Sequence, residues 1–100
     1  ASLSPLIGDD LDLEEPDDLI VLAEALMATG KNARALKLYR YLQGKDPYRD
    51  QAIYRDAQLS LQQGQRAVGL KLLRQLVEEA KDSQWRSLAE ETLAIERFNR

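Results

Sequence analysis

The sequence predicts an all-α chain, an α-solenoid of about five helices in which antiparallel helix pairs stack as a repeat. Three observations predict it. Leu19, Ala23, Gly30, Tyr39 and Leu42 recur in order as Ile53, Ala57, Gly64, Leu73 and Leu76, at a constant period of about 34 residues that is typical of helix pairs sharing a core. Apolar residues between these marks fall three and four apart, the spacing of a buried helical stripe. Gly30, Gly44, Pro47 and Gly64 stand between the stripes, where they punctuate helices.

Residues 1–15 mix acids with Leu3, Leu6, Ile7, Leu11 and Leu13 in no sustained period, so they are read as a low-order acidic leader. A first helix over about 17–29 begins after Pro16, with Asp17 and Asp18 at the positive end of its dipole. It ends at Gly30, which takes a left-handed conformation without a Cβ clash. The second helix, about 32–44, carries Ala35, Leu36, Tyr39 and Leu42 on one stripe. Asp46 and Pro47 are expected to start the third helix, Asp46 as its cap and Pro47 in its first turn. That helix covers about 48–62 with Ile53, Ala57 and Leu61 on its stripe, and it stops at Gly64. The fourth spans about 65–80 through Val68, Leu72, Leu73, Leu76 and Val77. Asp82 or Ser83 caps a fifth helix over about 84–97, with Trp85, Leu88, Ala89 and Thr92 along one face.

Composition narrows the chemistry. The 100 residues contain no Cys and no His, which removes thiolate nucleophiles, cysteine-ligated zinc and the usual neutral-pH base. The adjacent acid pairs Glu78/Glu79 and Glu90/Glu91 point about 100° apart on a helix and cannot flank one substrate atom. The reading is therefore non-enzymatic, with no cofactor and no metal; Gly8-Asp9-Asp10-Leu11-Asp12 lacks the order of a calcium-binding loop. No stretch approaches the roughly 20 apolar residues of a membrane span. A Cys-free chain suits cytoplasm and periplasm equally, so the compartment stays open. Residues 1–18 carry seven acids and no base, and residues 19–100 carry ten acids against fourteen bases, an acidic leader beside a mildly basic body.

With the helices placed, residues 16–98 resemble the tetratricopeptide repeat. Taking residue 16 as the first position, Leu19, Leu22, Ala23, Leu26, Gly30, Ala35, Tyr39, Leu42 and Pro47 match the family pattern across 16–49. The second unit, 50–83, matches at Ile53, Ala57, Gly64, Gly69, Leu73 and Leu76. Asp56, Ser60 and Lys81 depart from the pattern, and the expectation is a third helix that is tilted or partly exposed. Residues 84–98 look like a capping helix. The resemblance implies a right-handed superhelical stack, with Ala23 and Ala35 where paired helices cross most closely.

The resemblance also implies an inner face made mainly by the first helix of each pair. Carried across, that face holds Asp17, Ile20, Glu24 and Met27, then Gln51, Tyr54, Arg55, Gln58 and Leu61, then Trp85, Leu88 and Thr92. A surface mixing Ile, Met, Tyr, Leu and Trp with a few polar groups suits a helix or extended peptide of a partner protein; the plainer reading makes Leu61, Trp85 and Leu88 core. The function this implies is an adaptor, assembly or chaperone-like module of a larger bacterial assembly, with self-association covering the end of a short array. One family use is set aside: Ile20 and Glu24 stand where chaperone-binding members place carboxylate-clamping Lys and Asn.

Two other readings compete. Lys31, Arg34, Lys37, Arg40 and Lys45 could contact nucleic acid, but at three-residue steps they spiral round the helix, and no aromatic platform is interleaved with them. The chain could also be a structural spacer. The acidic leader itself has three readings: a solubilising segment, one that folds back into the groove through Leu6, Ile7, Leu11 and Leu13, or one that docks on another subunit.

Overall fold

The computed structural model describes residues 15–80 and 83–98. These form five helices and no strand: α1 (Pro16–Ala28), α2 (Asn32–Leu42), α3 (Arg49–Gln62), α4 (Arg66–Glu79) and α5 (Gln84–Phe98). Each helix packs on the next, and α5 also touches α3. The leader, apart from Glu15, lies outside the described residues, as do Lys81 and Asp82. No described helix is long and apolar enough to cross a membrane.

Pro16 occupies the first turn of α1, with Asp17 and Asp18 beside it. The helix ends at Gly30, whose φ is +83°. There the Gly30 N–H donates to Met27 O at 3.1 Å and the Lys31 N–H to Leu26 O at 2.8 Å, the paired bonds that satisfy the last carbonyls of a helix. The same arrangement closes α3. Gly64 also has φ +83°, its N–H donates to Leu61 O at 3.2 Å, and the Gln65 N–H donates to Ser60 O at 2.8 Å. Both rods thus end in one device, placed one repeat period apart.

Burial follows that period too. Leu19 and Ile53, Ala23 and Ala57, Tyr39 and Leu73, and Leu42 and Leu76 are all buried. Ala35 and Gly69, again equivalent positions, are buried small residues. A Cβ on Gly69 would lie 2.7 Å from Leu61 Cγ and 3.0 Å from the Ala57 carbonyl oxygen, so α3 and α4 cross where only glycine fits. The period stops at α5: one more step on from Ala57 lands on exposed Glu91, whereas Ala89 is the buried residue.

The entry to α3 differs from expectation. The chain makes an extra turn, with the Lys45 N–H on Leu42 O at 2.9 Å and the Tyr48 N–H on Lys45 O at 2.9 Å. Tyr48 is therefore the residue before the helix, and no side chain caps it. Asp46 and Pro47 fall in the turn, too early in the chain to play the roles foreseen for them. At α5, the Ser83 Oγ accepts from the Trp85 N–H at 3.0 Å, which is the N-cap bond.

The third helix is not exposed at Asp56 and Ser60, the described positions that depart from the pattern. Asp56 is 3% exposed and Ser60 fully buried. Polar groups tolerate such burial only when bonded, and these are: Asp56 Oδ2 accepts from Gln43 Nε2 at 2.6 Å and lies 3.4 Å from Arg40 Nε, and Ser60 Oγ donates to Asp56 Oδ1 at 3.2 Å. A polar seam joins α2 to α3 there. Around it, α3 sends Ala52 and Leu59 into a cluster with α1 and α2. It sends Ile53, Tyr54 and Ala57 into a second cluster with α4 and α5.

Candidate functional site

Three helices that are not consecutive build the face assigned to partner binding. Glu24 comes from α1, Gln51, Tyr54, Arg55 and Gln58 from α3, and Trp85 and Thr92 from α5. Arg55 lies at its centre. Its Nε donates to Glu24 Oε2 at 3.0 Å, its Nη2 to Glu24 Oε1 at 3.1 Å and its Nη1 to Gln58 Oε1 at 2.8 Å. The guanidinium carbon lies 5.4 Å from the Trp85 ring centroid and 5.9 Å from that of Tyr54, within cation–π range. The two rings are 5.7 Å apart and tilted by 41°.

Further bonds fix the rim. Gln51 Nε2 donates to Glu24 Oε2 at 3.2 Å. Thr92 Oγ1 donates to Leu88 O at 2.9 Å, which leaves it to accept from the Tyr54 hydroxyl at 3.2 Å. The Tyr39 hydroxyl reaches Glu24 Oε2 from α2. Sequence reasoning placed Tyr39 in the core and missed this bond; the signal was a tyrosine, not a phenylalanine, at a buried aromatic position.

The electrostatics fix the protonation of this cluster. Burial alone would raise the Glu24 carboxyl, but the hydrogen bonds from Tyr39 and Arg55, the Arg55 charge and the Gln51 bond outweigh it and hold the group below its ordinary value. Tyr39 is pushed well up, first by burial and then by its bond to, and the charge of, Glu24. Near neutrality Glu24 is thus an ionised acceptor and Tyr39 a neutral donor, and neither exchanges a proton.

The remaining assigned residues sit differently. Ile20 and Tyr54 are each 7% exposed and contribute mainly to the core. Met27 is half-buried against the first cluster. Leu61, Trp85 and Leu88 are half-buried against the second, with Leu61 lying over Gly69. Asp17, at the edge, accepts from the Tyr48 hydroxyl. The part-exposed face therefore mixes the polar groups of Glu24, Gln51, Arg55, Gln58 and Thr92 with the aromatic edge of Trp85 and the half-buried Met27, Leu61 and Leu88.

On the basic second helix Arg34, Lys37 and Arg40 are exposed, as is Lys31 just before it. Arg40 leans to Asp56, and Lys45, just beyond the helix, lies 5.2 Å from the Tyr41 ring centroid. Among the described residues no group of three or more acids is placed to hold a metal ion.

No family model matches this chain, and no curated protein or solved structure matches it either.

Proposed function

We propose that the chain is a non-catalytic protein-interaction module, a tetratricopeptide-like helical array that binds a segment of a partner protein across the face of α1, α3 and α5. The observation that carries this reading is the Glu24–Arg55–Trp85 cluster, in which three alternate helices contribute to one part-exposed surface. Its Gln51 and Gln58 amides suit peptide backbone groups, and its aromatic edge suits an apolar side chain. Support for the repeat architecture comes from the single period shared by buried positions and by the two helix-ending glycines.

The test is selection from a displayed random-peptide library on the intact chain, followed by fluorescence anisotropy of enriched peptides. Gln51→Ala and Gln58→Ala, which remove no core side chain, should each weaken those peptides by about tenfold or more with little change in melting. Enrichment of no consensus, or peptides indifferent to both substitutions, would remove the reading.

A further inference from the structure

Between α4 and α5 lies an open cavity of about 220 Å³ lined by Arg66, Leu70, Arg74, Leu93, Glu96 and Arg97. Arg66 is already engaged: its Nη1 donates to Glu96 Oε1 at 2.6 Å and its Nη2 to the Glu96 carbonyl at 2.9 Å. Arg74 and Arg97 make no hydrogen bond or ion pair with another described residue. Three guanidiniums thus face one carboxylate over a floor of two leucines.

The repeat shows what is missing. Arg74 is the second-unit equivalent of Arg40, and Leu70 that of Leu36. In the first unit Arg40 meets the Asp56 carboxylate of the next helix. The period does not carry into α5, and no described carboxylate of α5 meets Arg74: that of Glu90 turns to Arg86 within α5 at 3.5 Å. The second unit therefore keeps the arginine and lacks the carboxylate that its counterpart holds.

We propose that this groove receives the acidic, leucine-bearing segment Asp9–Glu14 of a second copy of the chain. The segment reads Asp-Asp-Leu-Asp-Leu-Glu: carboxylates for Arg74 and Arg97, and leucines for the Leu70 and Leu93 floor. Charge complementarity of this kind steers and orients association. No aromatic residue lines the cavity, so it offers no platform for the base stacking that single-stranded nucleic acids use. Covalent reach favours a second copy over the same one. The six residues from Glu15 back to Asp9 span at most about 21 Å. The Arg66–Glu96–Arg97 end of the groove, at the start of α4 and the end of α5, lies about two helix spacings of 8–10 Å across and about a further 20 Å along the antiparallel succession from the start of α1. Reciprocal insertion gives a two-fold pair, each copy supplying one segment and one groove. The inference does not depend on the peptide-binding face of α1, α3 and α5.

Sedimentation of the full chain at low salt tests it. The wild type should dimerise with concentration. Arg74→Gln/Arg97→Gln and Asp9→Asn/Asp10→Asn/Asp12→Asn should each weaken the dimer by about tenfold or more, with unchanged circular dichroism. Arg34→Gln, an exposed arginine on α2, should have no effect. Mixing the two multiple variants should restore pairing in part, because one intact segment then meets one intact groove. A wild type that stays monomeric at all concentrations, or a groove variant that pairs like the wild type, overturns the proposal. So does an oligouridylate that binds a monomeric chain and is lost with Arg74 and Arg97, which would assign the groove to nucleic acid.

Discussion

Arg55 and Glu24 form a two-pronged ion pair that bolts α3 to α1, with both carboxylate oxygens engaged at 3.0 and 3.1 Å. Side-by-side bonding of this kind is stronger and more directional than a single contact. The pair is partly sheltered, with the Arg55 side chain 20% and the Glu24 side chain 34% exposed. It therefore exceeds a freely solvated surface pair, although water still screens it.

Replacing Glu24 by Gln should lower stability at neutral pH by about 1–2 kcal/mol. The folded-state carboxyl titrates below its ordinary 4.5, so its contribution is present above that value and is lost as pH falls through the folded one. Urea unfolding followed from neutral to acid pH should show the gap between wild type and Glu24→Gln closing below pH 4.5. A gap that stays constant into acid would mean the charge contributes nothing.

Asp56→Ala removes a buried carboxylate and leaves Gln43 and Ser60 without their acceptor. The expected loss is about 1–3 kcal/mol. Asp56→Asn should cost less, because the amide oxygen still accepts one bond. Denaturant midpoints of the two variants check the order, and equal midpoints would show that the seam between α2 and α3 does not depend on these bonds.

Gly69→Ala sets two effects against each other. Alanine gains about 1 kcal/mol of helix propensity, but its Cβ meets Leu61 and the Ala57 carbonyl inside contact distance, and overpacking costs about 1–3 kcal/mol. Backbone gives way less readily than a side-chain tip, so the clash wins and the melting temperature falls. A rise in melting temperature would place the crossing of α3 and α4 elsewhere.

Gly30→Ala and Gly64→Ala meet no neighbour within 4 Å. Their cost is conformational only, about 1 kcal/mol each for a left-handed residue with a Cβ. Near-equal drops in melting temperature at the two positions are expected, and thermal scans of the single variants measure them.

Much of the helical order was legible because glycine at a helix end and apolar residues at spacings of three and four are local signals. Ser83 and Gly30 needed no information from distant chain. Asp56 and Ser60 were harder: an acid and a hydroxyl on a helix read as surface, and their burial depends on Arg40 and Gln43, 16 and 13 residues before Asp56. The turn at Asp46–Pro47 misled because the two residues carry a helix-start pattern, while the backbone makes one more turn before α3. On the candidate face, Glu24, Arg55, Gln58 and Trp85 are named from the resemblance to the repeat family, and the structure brings them together. That Arg55 and Glu24 bind each other, with Tyr39 as a third partner, required the packing of α1, α2 and α3. The groove of Arg66, Arg74 and Arg97 was invisible in one dimension, since its residues are scattered among other bases and converge only when α4 and α5 pack.

Because α3 lends side chains to both apolar clusters, the interiors of the two halves share one wall. Loosening one hairpin strips a wall from the other, so heat should dissolve both in a single event with equal calorimetric and van't Hoff enthalpies. The five-helix fold thus behaves as one thermodynamic body, hinged on its central rod.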